Sequence, residues 1–220
     1  MEPQEAIIKK ILEIPTASLS DALDDVGIRG FMDHSIKLRT CDVKIVGPAV
    51  TVKDRIANRK VTPIKALEVI ENAPLGAVLV RSIEDVSGDE AANIALFGGV
   101  MAQASKVKGL SGAVLDGGLR DLAECKTLAF PVFSRSVTPS TSVGRTEVVG
   151  VNVPIVCGGV LVKPGDIIVG DLDGVVVIPK EKLREVVERA LKIEETEKKM
   201  TAELTKSTSI LSVIKKYSRL

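Results

Sequence analysis

Residues 76–81, GAVLVR, and residues 112–124, GAVLDGGLRDLAE, decide how this chain folds. Each opens as a short apolar run behind a glycine, the signature of a buried strand. The first strand covers Gly76 to Arg81, and the second runs from Gly112 to Leu115 and ends at Asp116-Gly117-Gly118. Between them, Ala91 to Val107 reads as helical in part, interrupted by Gly98-Gly99, and Arg120 to Thr127 opens a further helix. The order is β–α–β, and the segment following the second strand sits where α/β sheets place their ligands.

Toward the N-terminus, Ala6, Ile7, Ile8, Ile11, Leu12 and Ile14 recur at helical spacing over Glu5 to Ile14. Pro15 stops that helix, a Thr or Ser of the following TASLSDAL caps the next, and Gly27 and Gly30 end it. Val43 to Val52 reads as two strand pieces broken by Gly47-Pro48, and Ile64 to Ile70 as a helix. Toward the C-terminus, Val132-Phe133, Thr146 to Val149, Val153 to Val156, Gly159 to Val162, Ile167 to Val169 and Val175 to Ile178 read as short strands. Turns fall at Pro164-Gly165-Asp166 and Asp171-Leu172-Asp173-Gly174. Pro179 starts a Lys/Glu-rich helix to about Met200, whose charges read as a solvated face, and an amphipathic segment runs from Leu204 to Tyr217. The sequence therefore predicts a mixed α/β fold, one domain over residues 1–220 with a strand-rich centre, surrounding helices and a C-terminal helical extension over about 180–220.

Composition narrows the chemistry. The chain has 220 residues, enough for one sizeable core, with 45% apolar and 27% charged residues. Thirty Lys and Arg against 29 Asp and Glu leave a net charge of +1, and aromatics are 2%, so neither a basic nucleic-acid footprint nor a base-stacking platform is present. The single histidine, His34, lies in a polar loop and reads as a surface residue, which excludes a His-rich zinc site. Cys41, Cys125 and Cys157 are widely spaced and form no CxxC motif. Reduced thiols, no signal-peptide pattern and no apolar run of about 18 residues predict a cytoplasmic protein without a membrane span. Neither a G-x-G-x-x-G after a strand, nor a P-loop, nor a Gly-x-Ser-x-Gly elbow occurs.

Two stretches carry candidate chemistry. In Gly98-Gly99-Val100-Met101, two glycines precede a helix-forming run, so a ligand could approach the backbone and meet the unpaired N–H groups of the first turn. The same residues would equally make a plain turn between helices. In Arg120-Asp121-Leu122-Ala123-Glu124, Arg120 offers a planar cation for a carboxylate, and Asp121 and Glu124 share a helix face at a spacing of three. That pair could hold Mg²⁺ or Mn²⁺, or serve only as acidic residues favoured at a helix N-terminus. Ser134, Ser136, Thr138, Ser140, Thr141 and Ser142 form a hydroxyl-rich patch that reads as a solvated loop.

Gly99, then twenty residues, then Arg120-Asp121, then two residues, then Glu124 resembles the RraA-like family, which includes the class II 4-hydroxy-4-methyl-2-oxoglutarate aldolases and the regulator of ribonuclease E activity. Ser20-Asp21-Ala22-Leu23, Gly47-Pro48-Ala49 and the run from Gly165-Asp166 through Asp171-Leu172-Asp173-Gly174 to Pro179 extend the resemblance over most of residues 16 to 180. The resemblance implies a β/β/α swivelling-type fold, a homotrimer or homohexamer and an active site between subunits. It makes Asp121 the direct metal ligand, with Glu124 acting through water on the metal, and Arg120 the group that binds the oxygens of a 2-oxo acid. Backbone N–H groups around Val100 and Met101 would take the substrate carboxylate, and Glu197 is the candidate for a glutamate supplied by a neighbour's C-terminal helix. Many members carry Asp or Glu where Gly99 stands here. The implied activity is a class II aldolase or oxaloacetate decarboxylase working through a pyruvate enolate. The alternative is a non-catalytic protein-binding regulator of ribonuclease activity.

Overall fold

In the computed structural model, residues 4–57, 59–62, 64–206 and 209–217 are described. Helices α1 (Gln4–Leu12) and α2 (Thr16–Asp24) lead into strands β1 (Lys37–Leu38) and β2 (Ile45–Ile56), helix α3 (Ile64–Asn72) and strand β3 (Val78–Glu84). Next come α4 (Gly88–Ala91), β4 (Ala95–Phe97), α5 (Gly99–Val107), β5 (Gly112–Leu119), α6 (Leu122–Thr127) and β6 (Val132–Val137). Strands β7 (Thr146–Val151), β8 (Ile155–Cys157), β9 (Val160–Val162), β10 (Ile167–Gly170) and β11 (Val175–Ile178) follow. A 3₁₀ turn (Lys180–Lys182) then leads into α7 (Leu183–Leu204) and α8 (Ile210–Tyr217).

One sheet has the order β1-β6-β5-β3-β2-β10-β11, with β4 added to β5 and β7 to β2. Strands β2, β3, β5 and β6 run parallel to one another, and so does β4 to β5. Strands β1, β7, β10 and β11 pair antiparallel. On one face of the parallel strands, Val50, Val52, Leu79, Ala113 and Leu115 bury against residues of α3, α5 and α6. The opposite face carries Val78, Val80, Val114 and Phe133 and is covered by the β8–β9 hairpin through Ile155, Cys157, Val160 and Val162. A third cluster packs α1, α2 and α7 onto β10 and β11, and Val186, Val187 and Ala190 of the C-terminal helical segment are buried in it. Among the described residues, no helix is long and apolar enough to cross a membrane.

Several elements differ from the sequence expectation. Val43 to Val52 is not two pieces: β2 runs unbroken through Gly47-Pro48. Pairing with β10 ends at Pro48 and pairing with β3 begins at Ala49, so the missing proline N–H falls where the strand changes partner. Gly47 is required there, because a Cβ would lie 2.0 Å from the backbone oxygen of Gly76. The segment after Ala91 is not an interrupted helix but contains the buried strand β4, since a run of three apolar residues carries no period. Strand β5 does not stop at Asp116; it continues to Leu119 after a register shift against β6 between Leu115 and Gly118.

The start of α2 also corrects a reading. Its N-cap is Pro15, with no side-chain cap of its own. The cap comes from far along the chain: Thr16 donates its N–H to Asp171 Oδ2 at 2.9 Å and its hydroxyl to Asp171 Oδ1 at 2.6 Å. Asp171 Oδ1 also accepts from Asp173 N–H at 3.0 Å, so one carboxylate ties the Asp171–Gly174 turn to the second helix. Asp171→Ala is therefore expected to lower stability by about 1–2 kcal/mol, the cost of a lost helix cap. A lowered denaturant midpoint with unchanged slope checks this; an unchanged midpoint refutes it.

Candidate active site

Strands β4 and β5 lie side by side and parallel, so the two segments that follow them emerge together. After β4, Gly98 is the N-cap of α5 in extended backbone, and its carbonyl accepts from Ala102 N–H at 2.9 Å to close the first turn. The N–H groups of Gly99, Val100 and Met101 then precede any intrahelical acceptor. After β5, Arg120 donates its N–H to Phe97 O at 3.0 Å, which locks the two exits to each other.

Asp121 is the N-cap of α6 and sits in the left-handed region, at φ 54° and ψ 41°. Aspartate is one of the few side chains that adopts this conformation, at some cost. The sequence placed Asp121 and Glu124 on one helix face; the structure puts Asp121 before the helix and Glu124 in its first turn. The left-handed residue nevertheless turns the Asp121 carboxylate back onto the glycines. Gly99 donates its N–H to Asp121 Oδ2 at 3.1 Å, and Arg120 Nε stands 3.4 Å from the same oxygen.

The glycines leave the space that these side chains fill. A Cβ at Gly98 would meet Asp121 Oδ2 at 2.7 Å and Arg120 Nε at 3.1 Å. A Cβ at Gly99 would lie 2.0 Å from Glu124 Oε2. Where a side chain at 99 would project, Glu124 thus presents its own carboxylate. Arg120 and Asp121 remain 44% and 43% exposed, open to a ligand from solvent.

Directly behind them is Cys125, fully buried, with its sulfur 3.8 Å from Arg120 O. Burial, reinforced by the negative charges of Asp121 and Glu124, pushes its thiol up to about 11. It stays protonated at neutral pH and is a poor nucleophile. No group of three or more His, Cys, Asp or Glu residues gathers to hold a metal among the described residues. A closed zinc site therefore does not fit. Two converging carboxylates with open space before them do fit a hard divalent ion that completes its shell with water and substrate oxygens.

The hydroxyl-rich patch read as a solvated loop proves to be structural. Ser136 donates to Ala92 O, while Ser140 donates to Asn93 O at 2.6 Å and accepts from Ala95 N–H at 3.1 Å. These bonds pin the approach to β4 and thereby the glycines. They span more than forty residues, which no local spacing reveals. His34 is exposed beside Asp33, as expected. Glu197 is not brought to this cluster: it lies on α7, which packs with α1 and α2 on the β10–β11 layer.

A family model described as "RraA-like: Aldolase/RraA" matches residues 16–177. A Halalkalibacterium halodurans protein named "Putative 4-hydroxy-4-methyl-2-oxoglutarate aldolase" is 38% identical over 185 residues, covering 84% of this chain and 82% of that one. A crystal structure of an uncharacterized protein from Pseudomonas syringae superposes with a TM-score of 0.86 at 30% identity, over 99% of this chain and 96% of that one. Streptomyces coelicolor RraAS2, described as an unusual member of the RNase ES inhibitor RraA protein family, superposes at 0.78 with 30% identity, over 90% and 96%. The chain belongs to the RraA-like family, and its mixed α/β sheet with surrounding helices is that family's fold.

At pH 8, iodoacetamide is expected to label the partly exposed Cys41 and to spare Cys125 until denaturant is added, because the raised pKa leaves almost no thiolate. Peptide mapping of the native protein reads the result. Labelling of Cys125 as fast as Cys41 would place it outside the pocket behind Asp121.

Proposed function

We propose that this member of the RraA-like family is a divalent-metal-dependent lyase acting on 2-oxo acids, a class II aldolase and oxaloacetate decarboxylase that works through a pyruvate enolate. The observation that carries the reading is the convergence of Arg120, Asp121 and Glu124 on the side-chain-free backbone of Gly98-Gly99 at the start of α5. The aldolase name borne by the Halalkalibacterium halodurans relative supports it.

Asp121, with Glu124 beside it, would hold Mg²⁺ or Mn²⁺. Such an ion supplies a Lewis acid for the keto oxygen. The N–H groups of Val100 and Met101 lie in the first turn of α5, before any intrahelical acceptor, and would donate to the substrate carboxylate, where the helix dipole adds to their pull. Arg120 would then lie against the keto oxygen. When the bond to the departing carbon breaks, the electron pair moves onto that oxygen, and the guanidinium is already in place to stabilise the charge. Decarboxylation of oxaloacetate requires no base on the chain; aldol cleavage must in addition take a proton from the 4-hydroxyl group.

Glu197 would enter only from another copy of the chain, as a homotrimer or homohexamer allows. The alternative reading, a protein-binding regulator of ribonuclease activity, draws on the likeness to RraAS2. It gives no role to the half-exposed Arg120 and Asp121 or to the glycines they lie against, which is why turnover is preferred.

Pyruvate release from oxaloacetate or 4-hydroxy-4-methyl-2-oxoglutarate is expected with Mg²⁺ or Mn²⁺ and is lost on adding a chelator. Arg120→Ala and Asp121→Ala should each lower kcat by about 10²–10³-fold, or about 2.7–4 kcal/mol. Release from neither compound with either metal would favour the regulator.

A further inference from the structure

Arg81 lies at the centre of the apolar face of the sheet, and nothing in the proposed chemistry uses it. Its side chain is 1% exposed and that of its partner Asp54 is 0%. Arg81 is on β3 and Asp54 on the adjacent β2, and they meet as a fork: Nε to Oδ2 at 2.6 Å and Nη2 to Oδ1 at 2.8 Å. The remaining terminal nitrogen, Nη1, donates to Leu96 O. The pair interrupts the apolar cluster to which Val52 and Ile83 of the same strands belong, and it lines a small cavity with Ser142, Thr146 and Val148.

A buried ion pair is a poor source of stability, since apolar residues of similar volume often serve as well or better. What Arg81 supplies, and an apolar residue cannot, is a donor fixed in direction. Leu96 is the middle residue of the three-residue strand β4. Among the described residues that strand pairs only with β5, and the register shifts between Ala95 and Phe97. Ile94 O and Phe97 O accept from the β5 side, from Gly118 and Arg120 N–H, at 2.8 and 3.0 Å. Leu96 O turns the other way, into the core, where without Arg81 it would be an unsatisfied acceptor. Two residues later the chain reaches Gly98.

We propose that Arg81, oriented by Asp54, is a positioning residue for the N–H groups of Val100 and Met101. It fixes the far side of β4, as β5 fixes the near side, and so sets where α5 begins. The three-bonded guanidinium is planar, so orientation passes from Asp54 through Arg81 to the Leu96 carbonyl. The functional consequence rests on those amides binding the substrate carboxylate as proposed above; the structural part does not.

Two variants test it. Asp54→Leu/Arg81→Met removes both charges at similar volume and removes the donor to Leu96 O. Arg81→Lys keeps a cation opposite Asp54 but replaces the planar fork with a single ammonium. Hydrogen–deuterium exchange by mass spectrometry is compared over residues 95–101 and over β5, together with KM and kcat for oxaloacetate with Mg²⁺. The expected result is faster exchange at 95–101 with β5 unchanged, and a KM raised about tenfold or more while kcat falls by less. A folded variant with unchanged exchange at 95–101, or with exchange raised equally throughout the sheet, overturns the assignment. So does failure of both variants to fold, which would make the pair a folding element only. A wild-type protein that releases no pyruvate defeats the lyase reading, and the exchange result then decides the positioning role alone.

Discussion

Two carboxylates and a guanidinium gather here over a stretch of backbone that carries no side chains. Gly98 and Gly99 approach Asp121 Oδ2 and Glu124 Oε2 within distances that no Cβ tolerates. The opposing geometry is equally constrained: Asp121 points inward because its own backbone is left-handed, and Gly99 N–H meets it at 3.1 Å. The two halves of the site are therefore fitted to each other. A Cβ at 99 would displace Glu124, and a right-handed residue at 121 would aim its carboxylate elsewhere.

The sheet delivers these halves to one place. Parallel pairing of β4 with β5 carries both exits to the same edge, the position at which α/β sheets bind ligands. Because β4 has only three residues, pairing on one side is a weak restraint, and its remaining polar groups find partners elsewhere. Ser136 and Ser140 hold the approach from the β6 side, and Arg81 holds Leu96 O from the β3 side. The mobile part of a βα connection is thus restrained at almost every residue from Ala92 to Gly99. This degree of fixation would suit the carboxylate-binding role proposed for the backbone amides, which asks for little reorganisation.

Much of this was legible in the sequence where apolar runs are bounded by turn residues. Val175 to Ile178, between Asp173-Gly174 and Pro179, is β11 at the expected residues. The pairing of Arg120, Asp121 and Glu124 with Gly98-Gly99 was legible through resemblance, though the helical face invoked for it was not the geometry found. What the sequence hid was of two kinds. Long-range partners leave no local trace: Asp171 caps a helix 155 residues away. Backbone handedness at Asp121 is likewise invisible, since aspartate is compatible with both hands. Arg81 does leave a signal, a charged residue at the close of the apolar run GAVLV, but that pattern alone marks only the end of a strand.

Exposure places a further demand on the proposed chemistry. With Arg120 and Asp121 nearly half open to solvent, their mutual attraction in a single chain is of the order of a surface pair, about 0–1 kcal/mol. Stabilising an enolate by several kcal/mol requires fixed charges in surroundings from which water is largely excluded. Substrate binding removes part of that water, but Val100 is 75% exposed at the start of α5. A neighbouring copy that seats over α5 would lower the dielectric around Arg120 and could bring a carboxylate such as Glu197 within reach. On this reading assembly and catalysis are a single question, because the strength of the guanidinium depends on what closes over it.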